Sequence, residues 1–241
     1  MNSIDEKSEN KAQYVCRMFA SIARRYDLLN AVLSFGCDRS WRRFAMAQID
    51  GIPNGMILDL ATGTGKIALL AARCYPESTV VGVDFCPQML DVAREKAKAS
   101  SFGNMVTLMQ GDALRLPFSD NTFDCVTIGF ALRNVTSIET LFSEMARVTK
   151  PGGKMVSLEL TRPSARVLEP LHKVYIKIVI RCVGGIISGK WDAYTYLPRS
   201  ILGFPSPREV QKVMEDAGWR KVEIHRLMFG TATVQTGVKE G

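Results

Sequence analysis

The 241-residue chain contains little of what metal sites, disulfide frameworks and membrane spans require. It has two histidines and six scattered cysteines with no C-x-x-C pair, which argues against a zinc site and for a reducing compartment. No stretch reaches the roughly 18 uncharged apolar residues of a spanning helix. The first residues through Lys11 are charged and polar, so we expect a frayed lead-in and no signal peptide. Internal repeats and low-complexity linkers are also absent.

The bulk composition predicts a globular protein with a substantial core. At 241 residues and 46% hydrophobic content, the simplest arrangement is one domain with additions. The net charge of +7 suggests anionic surroundings, either nucleic acid or membrane headgroups. A modest excess of lysine and arginine also serves solubility alone, so the charge does not select a partner.

One stretch, Met56–Lys66, organises the rest of the chain. A short apolar run that ends in an acid is typical of a buried parallel strand, and a small-residue turn with Gly63 and Gly65 follows it. Ile67–Arg73 continues with helix-forming residues. Strand, glycine turn and helix form the first unit of a doubly wound α/β domain, which binds its ligand beyond the carboxyl ends of the strands.

Three kinds of binding turn compete for this stretch. A phosphate-binding P-loop is excluded because Leu60 and Ile67 stand where that motif needs Gly and Ser or Thr. The G-x-G-x-x-A pattern from Gly63 matches a dinucleotide fingerprint only weakly. The D-x-x-x-G-x-G pattern fits the turn of S-adenosylmethionine-dependent methyltransferases, in which Asp59 would order the turn and face the cationic, amino-acid end of the cofactor. A tight turn with no ligand is the structural alternative.

The next predicted strand, Thr79–Asp84, also ends in an acid. Asp84 lies about 20 residues past the glycine turn, where α/β nucleotide-binding domains place a carboxylate on the ribose hydroxyls. Pro87 suits the first turn of a following helix, so a simple capping role is the alternative. Phe85 and Met89 are positioned either to line the adenosine-binding site or to pack in the core.

Later strand ends provide further candidate residues. Val106–Ala113 predicts a third strand, and in methyltransferases of this class an acid such as Asp112 caps the adenine amino group with the next backbone N–H. The fourth predicted strand, Cys125–Phe130, is followed by Arg133 and Asn134. Chemistry concentrates at this edge of such sheets, although a solvated charge and a helix cap are the alternatives.

The remaining segments predict regular elements. We expect helical structure over residues 11–46 with a break at Gly36, and helices over 88–99, 138–149 and from Pro207 to Ala217. A fifth strand is expected over 154–160 after a Lys150–Gly153 turn, and a terminal antiparallel hairpin of 221–227 with 231–238 at the sheet edge. Arg166–Ile187 carries an apolar stripe with basic residues opposite it. A lid or a dimer face is one interpretation of this helix, and contact with an anionic membrane is the other.

Three segments resemble one enzyme family closely. Val15–Arg43, Arg147–Thr161 and Trp191–Ile201 are similar to the signatures of the C-methyltransferases of menaquinone and ubiquinone biosynthesis. The resemblance covers Val15 to about Lys239. It implies a Rossmann-like α/β fold with a seven-strand methyltransferase sheet, an N-terminal helical cap over residues 1–50, and a methyltransferase domain over 51–241 with a helical insertion at about 164–202.

The same resemblance implies the reaction and its residues. S-adenosylmethionine would methylate a ring carbon of a prenylated quinol, leaving S-adenosylhomocysteine, and no metal is needed. Family cofactor contacts fall on Thr64, Asp84, Asp112 and Ala113; a further contact, frequently Ser, falls on Gly129. Arg133 matches the arginine near the transferred methyl and is expected to hold the phenolate or orient a water. Asn134 and Tyr26 are further candidates for ring binding.

Two other classes of protein share parts of this pattern. An RNA methyltransferase would use the same cofactor turn, but it should carry an appended nucleic-acid module or stacking motif, and neither is evident. A non-catalytic binding protein should have a damaged turn, whereas Asp59, Gly63, Gly65 and Asp84 are intact. We therefore expect a cytoplasmic enzyme with a lipophilic quinol substrate, in peripheral contact with the inner membrane surface or dimeric, and no nucleic-acid partner.

Overall fold

The computed structural model describes residues 2–49, 54–163, 174, 175, 178 and 193–241. The elements in chain order are α1 (Asn2–Ile22), α2 (Tyr26–Leu33), α3 (Cys37–Ala47), β1 (Met56–Leu60), α4 (Lys66–Cys74), β2 (Thr79–Asp84), α5 (Pro87–Lys98), β3 (Val106–Gln110), β4 (Phe123–Gly129), α6 (Ile138–Val148), β5 (Thr149–Leu160), α7 (Ala193–Gly203), α8 (Pro207–Asp216), β6 (Trp219–Leu227) and β7 (Ala232–Lys239).

The strands form one seven-stranded sheet in the order β3-β2-β1-β4-β5-β7-β6. β1 to β5 are parallel, and β7 runs antiparallel between β5 and β6. The predicted seven-strand α/β fold is therefore confirmed. Because parallel strands end at one edge, the turns after β1, β2 and β4 gather there and define the candidate site.

Helices cover both faces of the sheet and bury its apolar side chains. Successive side chains of a strand point to opposite faces. Accordingly Ile57 packs with residues of α3 and α4, whereas Leu58 packs with residues of α6 and α8. Both side chains are fully buried. The closely packed strands and helices therefore fix the positions of the acids at the ends of β1 and β2.

The N-terminal segment is helical from Asn2, so the frayed lead-in expected through Lys11 is wrong. The helical region predicted over 11–46 and its break at Gly36 are confirmed, and a further break at Ala23–Arg25 divides the region into three helices. Gly36 has a φ of 76°, a left-handed conformation that ends α2 and turns the chain into α3. The division of the chain at residue 50 stays a prediction.

Two strand boundaries differ from the prediction. β5 begins at Thr149 rather than at 154, because the expected Lys150–Gly153 turn is a bulge inside the strand: Phe123 pairs with Thr149, and Cys125 pairs next with Lys154. β3 ends at Gln110, so its acid follows the strand by two residues. The terminal hairpin is confirmed as antiparallel. The predicted helix over 166–187 lies outside the described residues, apart from isolated positions.

Candidate functional site

The turn after β1 is shaped by left-handed residues and by a buried carboxylate. Ala61, Gly63 and Gly65 have φ values of 48°, 57° and 77°. Asp59, 1% exposed, accepts hydrogen bonds from the hydroxyls of Thr62 at 2.6 Å and Thr127 at 2.8 Å. Burial raises the pKa of Asp59 to about 6, although both hydroxyls stabilise its ionised form. Asp59 thus orders the turn from within the core.

A second carboxylate ties this turn to the next one. Asp84 accepts the backbone N–H of Gly63 at 2.7 Å on one oxygen and the N–H of Cys86 at 2.8 Å on the other. Burial raises the pKa of Asp84, against the effect of these N–H donors. The N-cap of α5 is Cys86, with no side-chain cap hydrogen bond, so Asp84 does not cap that helix and instead sets the position of the glycine turn.

Beside the turn lies a cavity of about 420 Å³, which we call the turn cavity. Its floor comes from the turns after β1, β2, β3 and β4, and α1 with Tyr26 forms its roof. Among the described residues that line it, the charged ones are Asp84 and Asp112, and both are acids. A cavity whose charged walls are carboxylates suits a cationic ligand with hydroxyl and amino donors.

Most of the predicted site residues line this cavity. The seven predicted for the cofactor are Gly63, Asp84, Phe85, Met89, Asp112, Ala113 and Gly129, and the two predicted for ring binding are Tyr26 and Asn134. Asp59, Thr64 and Gly65 do not line it. At Gly65 a Cβ would lie 3.2 Å from the Cβ of Ala93. The missing side chain therefore allows α5 to pack closely against the turn and does not make room for a ligand.

Thr64 instead belongs to a polar network that docks the N-terminal helices on the turn. Its hydroxyl donates to Asp27 at 2.8 Å, and Lys96 forms an ion pair with the same carboxylate. Lys66 bridges Asp27 at 3.6 Å and Asp38 at 3.1 Å. Burial alone would raise the pKa of Asp27, but Lys96 and Lys66 outweigh burial and hold it below its ordinary value. The network explains why acids at 27 and 38 occur in the N-terminal signature.

A second cavity of about 430 Å³, the apolar cavity, adjoins the first. Its walls come from α2, α3, α7, the end of β5 and the β6–β7 connection. Phe130 lines both cavities and has a φ of 60°, unusual for a bulky residue. The guanidinium of Arg42 lies 4.8 Å from the centre of its ring. The two cavities thus meet at the end of β4.

Arg133 lines the apolar cavity rather than the turn cavity. Its side chain is 5% exposed and forms an ion pair with Glu159, which is 4% exposed, so it is not a solvated surface charge. Within the part of the chain that the structure describes, its Nε atom has no hydrogen-bond partner, and neither has the Nδ2 atom of Asn30. Both residues line the cavity, which gives an apolar space two unsatisfied polar donors.

Asn134 and Tyr26 line the turn cavity, and neighbouring residues hold both side chains in place. Asn134 Oδ1 accepts the hydroxyl of Tyr196 at 3.2 Å, and its Nδ2 donates to the carbonyl of Phe130 at 3.4 Å. The cap of α6 is Ser137, so Asn134 does not serve there. The ring of Tyr26 stands edge-on to Phe19, with centroids 5.6 Å apart.

Gly129 is the position where the family frequently has Ser. A Cβ there would overlap Cδ1 of Ile67, which fills the space beside the strand end. Only backbone contact with a ligand is therefore available at Gly129.

The sequence did not single out two residues that the structure places at the site. Glu159 and Asn30 both stand inside the family-like segments, and Glu159 repeats the strand-end acid seen in β1 and β2. That repetition could have identified Glu159. The role of Asn30 depends on how α2 lies over the sheet, which no local pattern reveals. Across the described ranges, no group of three or more His, Cys, Asp or Glu could hold a metal ion, and no helix has the length and apolarity of a membrane span.

Comparison with known proteins identifies close sequence relatives. A sequence model of the "ubiE/COQ5 methyltransferase family" matches residues 7–239. "Ubiquinone/menaquinone biosynthesis C-methyltransferase UbiE" from Geotalea daltonii is 42% identical over 234 residues, covering 97% of this chain and 99% of the relative. "Demethylmenaquinone methyltransferase" from Thermus thermophilus is 45% identical over 221 residues, covering 91% and 99%.

Solved structures share the fold at low sequence identity. A SAM-dependent methyltransferase from Thermotoga maritima, described as a possible histamine N-methyltransferase, superposes with a TM-score of 0.66 at 19% identity, covering 93% of this chain and 99% of that one. Phosphoethanolamine N-methyltransferase 2 from Haemonchus contortus, solved with S-adenosyl-L-methionine, gives 0.62 at 17%, covering 83% and 52%. These similarities support the sheet topology described above.

Proposed function

The chain belongs to the ubiE/COQ5 methyltransferase family, and from this we propose that it methylates a ring carbon of a lipophilic quinol with S-adenosylmethionine as the methyl donor. The bound cofactor supplies an electrophilic methyl group on a positively charged sulfur. The chain has to bind that cation, hold the ring carbon in line with the methyl, and stabilise the negative charge that makes the ring nucleophilic.

The observation that carries this proposal is the pair of cavities that meet at Phe130. On one side the charged wall residues are acids, which suit a cationic cofactor with hydroxyl and amino donors. On the other side the walls are mostly apolar, and the charged residues among the described ones are Arg133 and Asp38, which pairs with Lys66. An anionic or ionisable ring with an apolar tail fits the second cavity, with its reacting carbon near the shared wall.

We assign the cofactor to the turn cavity. Asp84 would accept hydrogen bonds from the ribose hydroxyls, and Asp112 with the N–H of Ala113 would bind the adenine edge. Phe85 and Met89 would pack against the adenosine, while Gly63 and Gly129 would contact it through backbone. Asp59, Thr64 and Gly65 would act indirectly, through the shape of the turn and its packing on the helices.

Arg133 would hold the ring oxygen as it loses its proton. Its guanidinium stays protonated, so it stabilises the phenolate and does not accept the proton. The ion pair with Glu159 fixes the plane of the guanidinium, and the unpaired Nδ2 of Asn30 offers a second donor from α2. Tyr26 and Asn134 would position the ring from the turn-cavity side.

The substrate also implies where the protein works. A quinol with a prenyl tail resides in the bilayer, so we propose peripheral contact with the membrane surface from the cytoplasmic side. The lid, dimer-face and membrane interpretations of residues 166–187 all stay predictions, as does a helical cap that ends near residue 50.

The direct test is methylation of soluble, short-tailed acceptors. The protein is incubated with methyl-labelled S-adenosylmethionine and, separately, a short-tailed naphthoquinol, a short-tailed benzoquinol and total RNA, and the label is located by mass spectrometry and NMR. We expect label on a ring carbon of at least one quinol and none on RNA. Label on oxygen or on RNA contradicts the proposal. Tight cofactor binding without transfer to any acceptor would indicate a binding protein instead.

A further inference from the structure

Three large apolar side chains that line the apolar cavity are also exposed. They are Phe35 (75% exposed), Met228 (46%) and Phe229 (75%), and we call them the apolar rim. Leu28 (58%) and Val32 (40%) are exposed one turn apart on α2, the helix that leads to Phe35. Exposed apolar residues that form one contiguous group mark an interaction surface more often than scattered ones do.

The backbone of the rim is held in an unusual conformation. Phe35, Met228 and Phe229 have φ values of 51°, 45° and 58°. Bulky side chains rarely adopt this left-handed region, and residues that do so concentrate at ligand clamps and active sites. In the rim, the conformation coincides with two of the most exposed aromatic rings among the described residues. The turns therefore present these rings outward from two separate elements.

The rim continues onto the segment that follows β5. The ring of Phe35 lies 5.9 Å from that of Tyr175, which also lines the cavity. The hydroxyl of Tyr175 donates to the carbonyl of Leu33. Val174 beside it is 52% exposed. The rim is thus joined to the segment after β5 through Tyr175.

Basic side chains flank the rim. Arg39 and Arg43 are exposed one turn apart on α3, the helix whose Asp38 and Trp41 line the apolar cavity. The rings of Phe44 and His225 lie 5.5 Å apart, which brings α3 against β6. In residues 33–47, all of them described, the one acid is Asp38, and it is 2% exposed.

We propose that the apolar rim, with Arg39 and Arg43 beside it, forms a docking surface for an anionic bilayer, so that the apolar cavity opens directly toward lipid. Aromatic and aliphatic side chains enter the boundary between headgroups and acyl chains, and arginines bind the anionic headgroups. The passage of a prenyl tail through the rim rests on the proposed function. Docking itself does not, because vesicle binding needs neither cofactor nor turnover.

The first test measures the electrostatic part. Sedimentation with vesicles of phosphatidylglycerol and phosphatidylcholine at low salt is compared for the wild type and R39Q/R43Q. The variant should bind roughly thirtyfold more weakly, and neither protein should bind pure phosphatidylcholine strongly. R73Q/R208Q removes the same net charge from exposed positions on α4 and α8 and should bind as the wild type does. Equal losses in both double variants would overturn the surface.

The second test locates the rim in the membrane. F229W is compared with E77W, which places an exposed tryptophan before β2 at the opposite edge of the sheet. Lipids brominated near the headgroup should strongly quench the tryptophan fluorescence of F229W. The fluorescence of E77W should be quenched no more than that of the native tryptophans in the wild type. F35S/F229S should weaken vesicle binding at least tenfold.

Four outcomes contradict the proposal. The first is fluorescence quenching in F229W no stronger than in E77W, and the second is vesicle binding by F35S/F229S equal to that of the wild type. The third is a wild-type dimer that sediments without lipid and dissociates in F35S/F229S, which would make the rim an interface between two copies. Loss of vesicle binding only in K173Q/K177Q/R181Q would place the membrane contact on the 166–187 segment instead. Failure of the methylation assay leaves each of these readouts unaffected.

Discussion

The buried ion pair of Arg133 and Glu159 allows the structural and chemical roles of the arginine to be separated. Both side chains are about one-twentieth exposed or less, so removing one partner leaves the other charge buried and unpaired. Breaking such a pair costs about 3–5 kcal/mol, whereas replacing both partners by apolar residues of similar volume is often neutral. We expect R133M and E159L each to lose about 3–5 kcal/mol of unfolding free energy and R133M/E159L to lose about 1 kcal/mol or less.

Turnover should follow a different pattern from stability. The double variant regains its fold but lacks the guanidinium that stabilises the phenolate, so its turnover should stay about 10²–10³-fold below the wild type. Arg133→Lys should also rescue turnover poorly, because an ammonium does not reproduce the planar fork. Affinity for S-adenosylmethionine should change little in the double variant, since Arg133 lies in the apolar cavity.

The assay combines urea unfolding, initial rates with a short-tailed quinol, and calorimetry of cofactor binding. Arg208→Met, an exposed arginine on α8, is the matched control and should alter none of the three. Near wild-type turnover in R133M/E159L would refute the reasoning and leave Arg133 as the counter-ion of Glu159. If R133M/E159L loses as much unfolding free energy as the two single variants together, the ion-pair argument itself is refuted.

Three further predictions follow from the turn. Asp84→Asn should weaken cofactor binding by about 1.5–3 kcal/mol in calorimetry, because a charged acceptor that also holds the Gly63 N–H is lost; unchanged affinity would remove Asp84 from the site. Asp59 has a folded pKa of about 6, above its ordinary 3.8, so the native protein retains a proton that the unfolded chain releases, and its contribution to stability falls as pH rises through that window. Asp59→Asn should therefore gain about 2 kcal/mol relative to the wild type between pH 4 and pH 7 in urea unfolding, and a constant difference would contradict the shift. Gly129→Ser should destabilise by about 1–3 kcal/mol through overlap with Ile67, and adding Ile67→Val should restore most of the loss, unlike Ile67→Leu.

Local sequence patterns predicted most of the sheet and the floor of the site. Apolar runs that end in Asp59 and Asp84 identified β1 and β2 because fully buried parallel strands need no polar alternation. The glycines between strand and helix identified the turn, since their conformations are nearly closed to other residues. These features depend on a few neighbouring residues, and a sequence records them directly.

What the sequence did not reveal depends on contacts between distant segments. Thr64 was expected to bind the cofactor, but it donates to Asp27, 37 residues earlier in the chain. Arg133 was expected near the transferred methyl, and its partner Glu159 and its position in a separate cavity emerge only when β4 and β5 lie side by side. The Lys150–Gly153 turn became a bulge because the bulge restores pairing of β5 with β4.

The order of strands in the sheet also has a consequence for biosynthesis. The described residues that line the turn cavity all precede residue 137, whereas the apolar cavity also uses Met228, Phe229 and Thr231 from the connection into β7. β7 must enter between β5 and β6, so the second cavity closes only after the last strand has been made. A ribosome that adds about 5–20 residues each second needs roughly 5–20 s for the intervening ninety or so residues. The described residues that line the turn cavity are therefore synthesised several seconds before the residues that complete the apolar cavity.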